Sequence, residues 1–116
     1  MKVDVSDPTR TIVDLLSDPA LGGGIRPVSD MFLSYMKSKH KDTKLLVEYG
    51  KRLGNRALFK RLGFLAERFA PKKSELIDEC MINLSKGNAK FDPKLVCKRL
   101  VKKWRLWIPA SWREEK

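Results

Sequence analysis

Residues 55–69, NRALFKRLGFLAERF, carry the pattern from which the architecture of this chain follows. At about 100° per residue their side chains split into two faces, which predicts an amphipathic helix packed on a core. Leu58, Leu62, Leu65 and Phe69 form the apolar stripe, widened by Phe59 and Ala66, while Arg56, Lys60, Arg61 and Arg68 fall opposite with Glu67 among them. Gly54 and an N-capping Asn55 set the expected start, and Pro71 the expected end. Phe64 falls in the middle of the basic face. An aromatic there has two explanations: it anchors an interface, or the helix is buried on both faces with Arg61 and Glu67 engaged by neighbouring elements. Exposure of the Phe64 ring separates the two.

A chain of 116 residues is long enough for one domain with a hydrophobic core of its own, so a single domain over 1–116 is expected. The composition, 42% hydrophobic and 34% charged, is that of a globular protein rather than a disordered one. No stretch approaches the roughly 18 apolar residues of a membrane span, and MKVDVSD has acids where a signal peptide needs an apolar core. A cytoplasmic protein without membrane partners is expected. In a reducing compartment Cys80 and Cys97 read as two buried thiols. The net charge of +11 is regional: residues 1–30 carry −2, residues 31–74 carry +9 and residues 75–116 carry +4. Such a field attracts phosphate backbones or an acidic protein surface.

Lys2–Val5 alternates and predicts a strand; Asp7-Pro8 then starts a helix bearing Ile12, Val13, Leu15 and Leu16. Beyond a Gly22–Gly24 turn, Pro27 opens a second helix with Val28, Met31, Phe32, Tyr35 and Met36 on its core face. Asp42 caps a third with Leu45, Leu46, Tyr49 and Leu53, and Ser74 a fifth with Leu76, Ile77, Cys80, Met81 and Leu84 inward, ended by Gly87. Lys90–Pro93 reads as a short extended segment and turn. Residues 94–103 fit either a short basic helix or a loop, and Trp104–Ile108 alternates as a strand, followed by a tail that Trp112 anchors. The expected fold is α+β and mainly α: about five helices against a small sheet formed by the N- and C-terminal strands, with the Phe91 segment as a further candidate.

Chemistry-bearing groups are sparse. Asp14 and Asp18 share a face but have no histidine or metal ligand nearby, and the Gly22–Gly24 run lacks the strand and the Lys-Ser/Thr pair of a phosphate-cradling loop. His40 is the only histidine and sits among lysines. No nucleophile, base and oxyanion site assemble, so no catalytic residue, cofactor or metal site is expected, and the chain reads as a non-enzyme.

DPTRTIVDLL followed by GGI, then NRALFKRLGFLAE, and finally FDP with WRLWIP resemble the C-terminal domain of the AbiEi antitoxin family, over about Val5 to Pro109. The residues that carry the resemblance are Arg10, Thr11 and Asp14 at the first helix, Gly22 to Gly24, then Arg61, Leu62, Gly63, Phe64, Leu65 and Glu67, and lastly Trp104 and Arg105. Family members are usually longer, with an N-terminal winged helix that binds their own operator; that half is not expected within these residues. The resemblance implies a domain that neutralises a nucleotidyltransferase-type toxin and helps the repressor oligomerise on DNA, so a toxin, DNA and a second copy are the implied partners.

Two functions are thus expected in competition. An antitoxin-like interaction domain would contact an acidic toxin surface through Lys60, Arg61, Phe64 and Arg68, since interfaces favour Arg and aromatic anchors. A stand-alone nucleic-acid-binding module would instead use residues 37–73 with Lys98, Arg99, Lys102, Lys103 and Arg105. A purely structural role stands beside both. Arg10 and Asp14, four apart, can form a local ion pair, Arg61 can pair with an acid of the first helix, and Trp104, Trp107 and Trp112 can be packing residues rather than stacking platforms.

Overall fold

The computed structural model describes residues 8–39 and 41–112. Its helices are α1 (Pro8–Ser17), α2 (Ile25–Lys37), α3 (Thr43–Leu53), α4 (Leu58–Phe69) and α5 (Ser74–Ile82). They are followed by strands β1 (Ala89–Lys90), β2 (Arg99–Val101) and β3 (Leu106–Ile108), with single 3₁₀ turns at Pro19–Gly22 and Ala110–Trp112. The fold is α+β and mainly α. The strand expected at Lys2–Val5, the Asp7 cap and His40 lie outside the described residues.

Helix α4 is central. It packs against α1, α2 and α5, and every residue from Leu58 to Ala66 is buried, including those of the nominally basic face. It begins at Leu58 rather than Asn55. The Asn55 side chain instead makes a local turn, its Oδ1 accepting from Ala57 N at 2.8 Å, while Nδ2 donates to Ser17 O at 3.3 Å. Gly63 allows a close approach: the Trp104 ring lies where a Cβ would stand, with ring carbons at 2.2–2.5 Å from that position.

The other helices are tied by their ends. The Tyr35 hydroxyl shares a 2.7 Å hydrogen bond with Thr9 Oγ1 and accepts from Asp42 N at 2.7 Å, joining α1, α2 and the start of α3. Asp42 caps α3 as expected, accepting from Leu45 N. Helix α2 starts two residues before Pro27, after a Gly23–Gly24 turn with φ of 92° and 111°. Its first amide donates to Asp92 Oδ2 at 3.0 Å, so a carboxylate 67 residues away does the work of a local cap. Helix α5 takes Ser74 as its first residue, not its cap, and ends at Ile82 rather than Gly87. Met31, Leu53 and Met81, expected inward, are exposed; the buried face of α3 is Leu46, Val47 and Gly50. Met31 and Met81 sit at the margins of their apolar arcs, and Leu53 is the last residue of α3, at the end of its packed length.

The sheet order is β1-β3-β2, with β1 parallel to β3 (Ala89↔Leu106, Lys90↔Trp107) and β2 antiparallel to it (Arg99↔Ile108, Val101↔Leu106). Among the described residues, then, the sheet is built from the last third of the chain, and residues 94–103 supply a strand rather than a helix. The strand expected from Trp104 starts at Leu106. Trp104 and Arg105 occupy the β2–β3 turn, Arg105 with φ of 54°, although Trp104, Leu106 and Ile108 are buried as the alternation implies.

Gly63→Ala tests the packing of α4 on the hairpin. Alanine in mid-helix gains roughly 1 kcal/mol in intrinsic propensity, but its methyl group must displace the Trp104 ring. Overpacking should dominate and lower stability by roughly 1–3 kcal/mol in urea denaturation. A variant as stable as the parent would show that the ring does not hold this position.

Candidate functional site

The four residues expected to form a contact face on α4 do not share one. Arg61 is 4% exposed. Its Nη1 donates to the carbonyls of Leu16 (2.8 Å) and Ser17 (3.1 Å), and its Nε and Nη2 donate to Lys90 O at 3.1 and 3.0 Å. The first two are carbonyls of the last turn of α1, which no intrahelical amide can reach. Burial lowers the Arg61 pKa, and the charges of Asp92, Asp18 and Cys97 oppose that shift. Arg61 is therefore a brace between α1 and β1, and its expected partner contact is withdrawn.

Phe64 is 4% exposed, its ring edge-on to Phe91 at 5.1 Å, and Phe91 is edge-on to Trp112 at 4.8 Å. This aromatic file is core, worth on the order of 0.5–1.5 kcal/mol per pair beyond area burial. Phe64 is thus no interface anchor, because a ring without exposed area has nothing to offer a partner. Arg68 is half-buried with its guanidinium 5.3 Å from the Trp112 ring, which Arg26 also approaches at 5.5 Å. Lys60 is 1% exposed, and its ammonium donates to Arg56 O, Ser85 Oγ and Lys86 O. It too cannot meet a partner directly.

The structural reading holds for Arg10 with Asp14, whereas Arg61 meets carbonyls and not an acid of α1. Arg10 and Asp14 form an exposed ion pair at 3.7 Å. Glu67 accepts from Trp104 Nε1 at 2.9 Å and from Lys103 Nζ, whose ammonium also lies 5.6 Å from the Trp104 ring. Burial pushes the Glu67 carboxyl up, but the hydrogen bonds from Lys103 and Trp104 and the lysine charge outweigh it, leaving the pKa below its usual value. Lys103 is consequently engaged on α4. Of the expected contact residues, Lys98, Arg99 and Lys102 remain exposed and make no ion pair among the described residues. They belong to β2, at the edge of the sheet among the described residues, and to its two flanks.

Asp92 was missed as a functional element of the fold. It is 3% exposed and accepts from Ile25 N and, through Oδ1, from Lys94 N at 2.9 Å. The only local sign is the Asp-Pro turn itself. Cys80 is buried, which together with the nearby Glu79 charge pushes its thiol up to about 12, an unreactive group. Cys97 is half-buried, not buried, and its thiol points to the carbonyls of Asp92 and Leu95.

A groove of about 650 Å³ between α3 and α5 is lined by Lys44, Glu48, Lys51, Glu75, Asp78 and Glu79 over a floor of Val47 and Leu76. Its mixed charge differs from the positive edge at β2. Among the described residues no group of three His, Cys, Asp or Glu side chains is placed to hold a metal ion, and no helix is long and apolar enough to cross a membrane. Comparison of the chain with protein-family models, curated proteins and solved structures found no match.

The Glu67 linkage has a pH signature. With its folded pKa below the unfolded one of about 4.3, its contribution is complete above the unfolded value and is lost as pH falls through the folded value. Glu67→Gln keeps an acceptor for Trp104 but no charge for Lys103. Its urea midpoint should fall less than that of the parent between about pH 6 and about pH 3. Identical acid limbs would remove Glu67 from the account.

Proposed function

We propose that this protein is an antitoxin-like interaction domain that neutralises a partner nucleotidyltransferase toxin, with a share in transcriptional autoregulation. The observation that supports the reading is where the resembling blocks lie. Arg61 of the RLGF block reaches the end of α1, which follows RTIVD, and Lys90 beside FDP. Gly63 and Glu67 meet Trp104, Phe64 meets Phe91, and the GGI turn enters α2 beneath Asp92. Blocks far apart in sequence that form one contact network are what a shared fold requires, so their order and spacing have a physical reason. Function itself rests on the surface that the network leaves free.

That surface is the basic edge at β2. Lys98, Arg99 and Lys102 replace Lys60, Arg61 and Phe64 as contact residues, because they are exposed and lack carboxylate partners among the described residues. Against an acidic toxin such charges act mainly on encounter rate and orientation. The second reading, nucleic-acid binding, draws on the same edge. It would proceed through phosphates rather than base stacking, since Phe64, Trp104 and Trp112 are buried and Trp107 is half-buried.

If a neighbouring reading frame encodes a nucleotidyltransferase-like protein, that protein is the partner to use. Lys98→Glu, Arg99→Glu and Lys102→Glu combined should weaken its capture at least about tenfold, if each exposed charge contributes roughly 0.5–1 kcal/mol, with unchanged melting. Undiminished capture counts against this face. In filter binding to duplex DNA, three phosphate contacts would give a log–log salt slope of about −2.7; no affinity at low salt eliminates the second reading.

A further inference from the structure

The residue that fits no reading so far is Lys60. Its ammonium is shielded by the loop that joins α5 to β1, and its three acceptors are neutral oxygens: Ser85 Oγ at 2.6 Å, Arg56 O at 3.3 Å and Lys86 O at 3.5 Å. Two further cations converge on the same loop. Arg105 Nη1 donates to Ser85 O at 2.9 Å, and Ser85 Oγ donates to the Arg56 carbonyl at 2.9 Å, which places the Arg56 backbone beside it. Burial lowers the Lys60 pKa, and the charges of Arg105 and Arg56 lower it further. No carboxylate pairs with Arg56, Lys60, Lys86 or Arg105 among the described residues. A buried cation normally comes with a counter-charge, because desolvation is otherwise uncompensated.

Backbone geometry adds an independent sign. Arg105 sits at φ 54°, in the left-handed region that disfavours residues with a Cβ. Glycine is the unstrained choice at this turn, so the arginine side chain, not the backbone, accounts for the residue. Held non-glycine strain of this kind concentrates at functional positions. Arg56 is exposed, and its guanidinium makes no hydrogen bond or ion pair among the described residues.

We infer that Arg105 and Arg56, with Lys86 on the same loop, form a binding site for a phosphate group beside the buried Lys60 ammonium. Two guanidinium forks and an ammonium match the several oxygens and the charge of a phosphate better than the two oxygens of one carboxylate. Lys60 touches no ligand. It adds fixed positive charge beneath the site, screened less than an exposed charge would be. The site does not depend on a toxin partner and is separate in residues from Lys98, Arg99 and Lys102.

The test uses the full chain at low salt with two probes, inorganic pyrophosphate and a short DNA duplex, followed by titration calorimetry. Arg105→Gly removes the fork while relieving the backbone, so it should melt no lower than the parent. It and Arg56→Gln should each weaken the bound probe about tenfold, against less than twofold for Lys44→Gln on α3, a control of equal charge change. Binding of pyrophosphate assigns the site to small phosphate ligands, and binding of the duplex alone to a nucleic-acid backbone; either supports the inference when the two variants lose it. Parental affinity in Arg105→Gly and Arg56→Gln, an equal loss in Lys44→Gln, or no binding of either probe to the parent overturns it.

Discussion

The guanidinium of Arg61 is the brace on which the remaining structure depends. A planar fork with five fixed donors can satisfy carbonyls that approach from two directions at once, which a lysine ammonium on a flexible stem does less well. Here the fork joins Leu16 and Ser17, at the end of α1, to Lys90 in β1. Each of these carbonyls, left unpaired in the interior, would be unfavourable by roughly 1–3 kcal/mol. Placing Lys90 also places Phe91 and Asp92, and through them the aromatic file and the start of α2. One side chain thereby sets the relation between the helical part and the hairpin.

This brace explains why α4 is buried all round despite its cations. A helix with charges on one face ordinarily turns them to water. On α4, Arg61 instead meets backbone carbonyls of α1 and β1, Lys60 meets the Ser85 hydroxyl and the carbonyls of Arg56 and Lys86, and Glu67 meets the Trp104 indole. Gly63 completes the arrangement by letting the Trp104 ring lie against the helix backbone. The polar face of α4 is an interior hydrogen-bonding surface. These side chains are consequently turned inward, and the charges left at the surface include those at β2 and at the loop above Lys60.

The charge of the chain also takes on structure. Part of the +11 is engaged internally, by Arg61 in carbonyls, Lys103 on Glu67, and Arg26 and Arg68 on Trp112. Many cations stay exposed, Lys37, Lys39, Lys44, Lys51, Lys72 and Lys73 among them, and two further groups lie along Lys98–Lys102 and around Arg56 and Arg105. Both places belong to, or face, the hairpin and its preceding loop. A surface so arranged suits an anionic partner by steering and by direct contact.

Helix existence and type were legible locally. Apolar residues at helical spacing, the Asp42 cap and the glycines at Gly23 and Gly24 each act within a few residues, so α1 to α5 follow from the sequence by itself, as do the inward side chains of Leu106 and Ile108. Boundaries followed less well where the cap comes from afar, as Asp92 does for α2. Only the tertiary structure decided what Lys60, Arg61, Phe64 and Arg105 do. The acceptors of Arg61 lie 29 to 45 residues away, those of Lys60 include the loop 25 residues on, and Phe64 meets a ring from the next segment of the fold. A helical projection sees only neighbours within about two turns. It therefore assigns a cation to solvent whenever its partner is a carbonyl that the fold brings in from elsewhere.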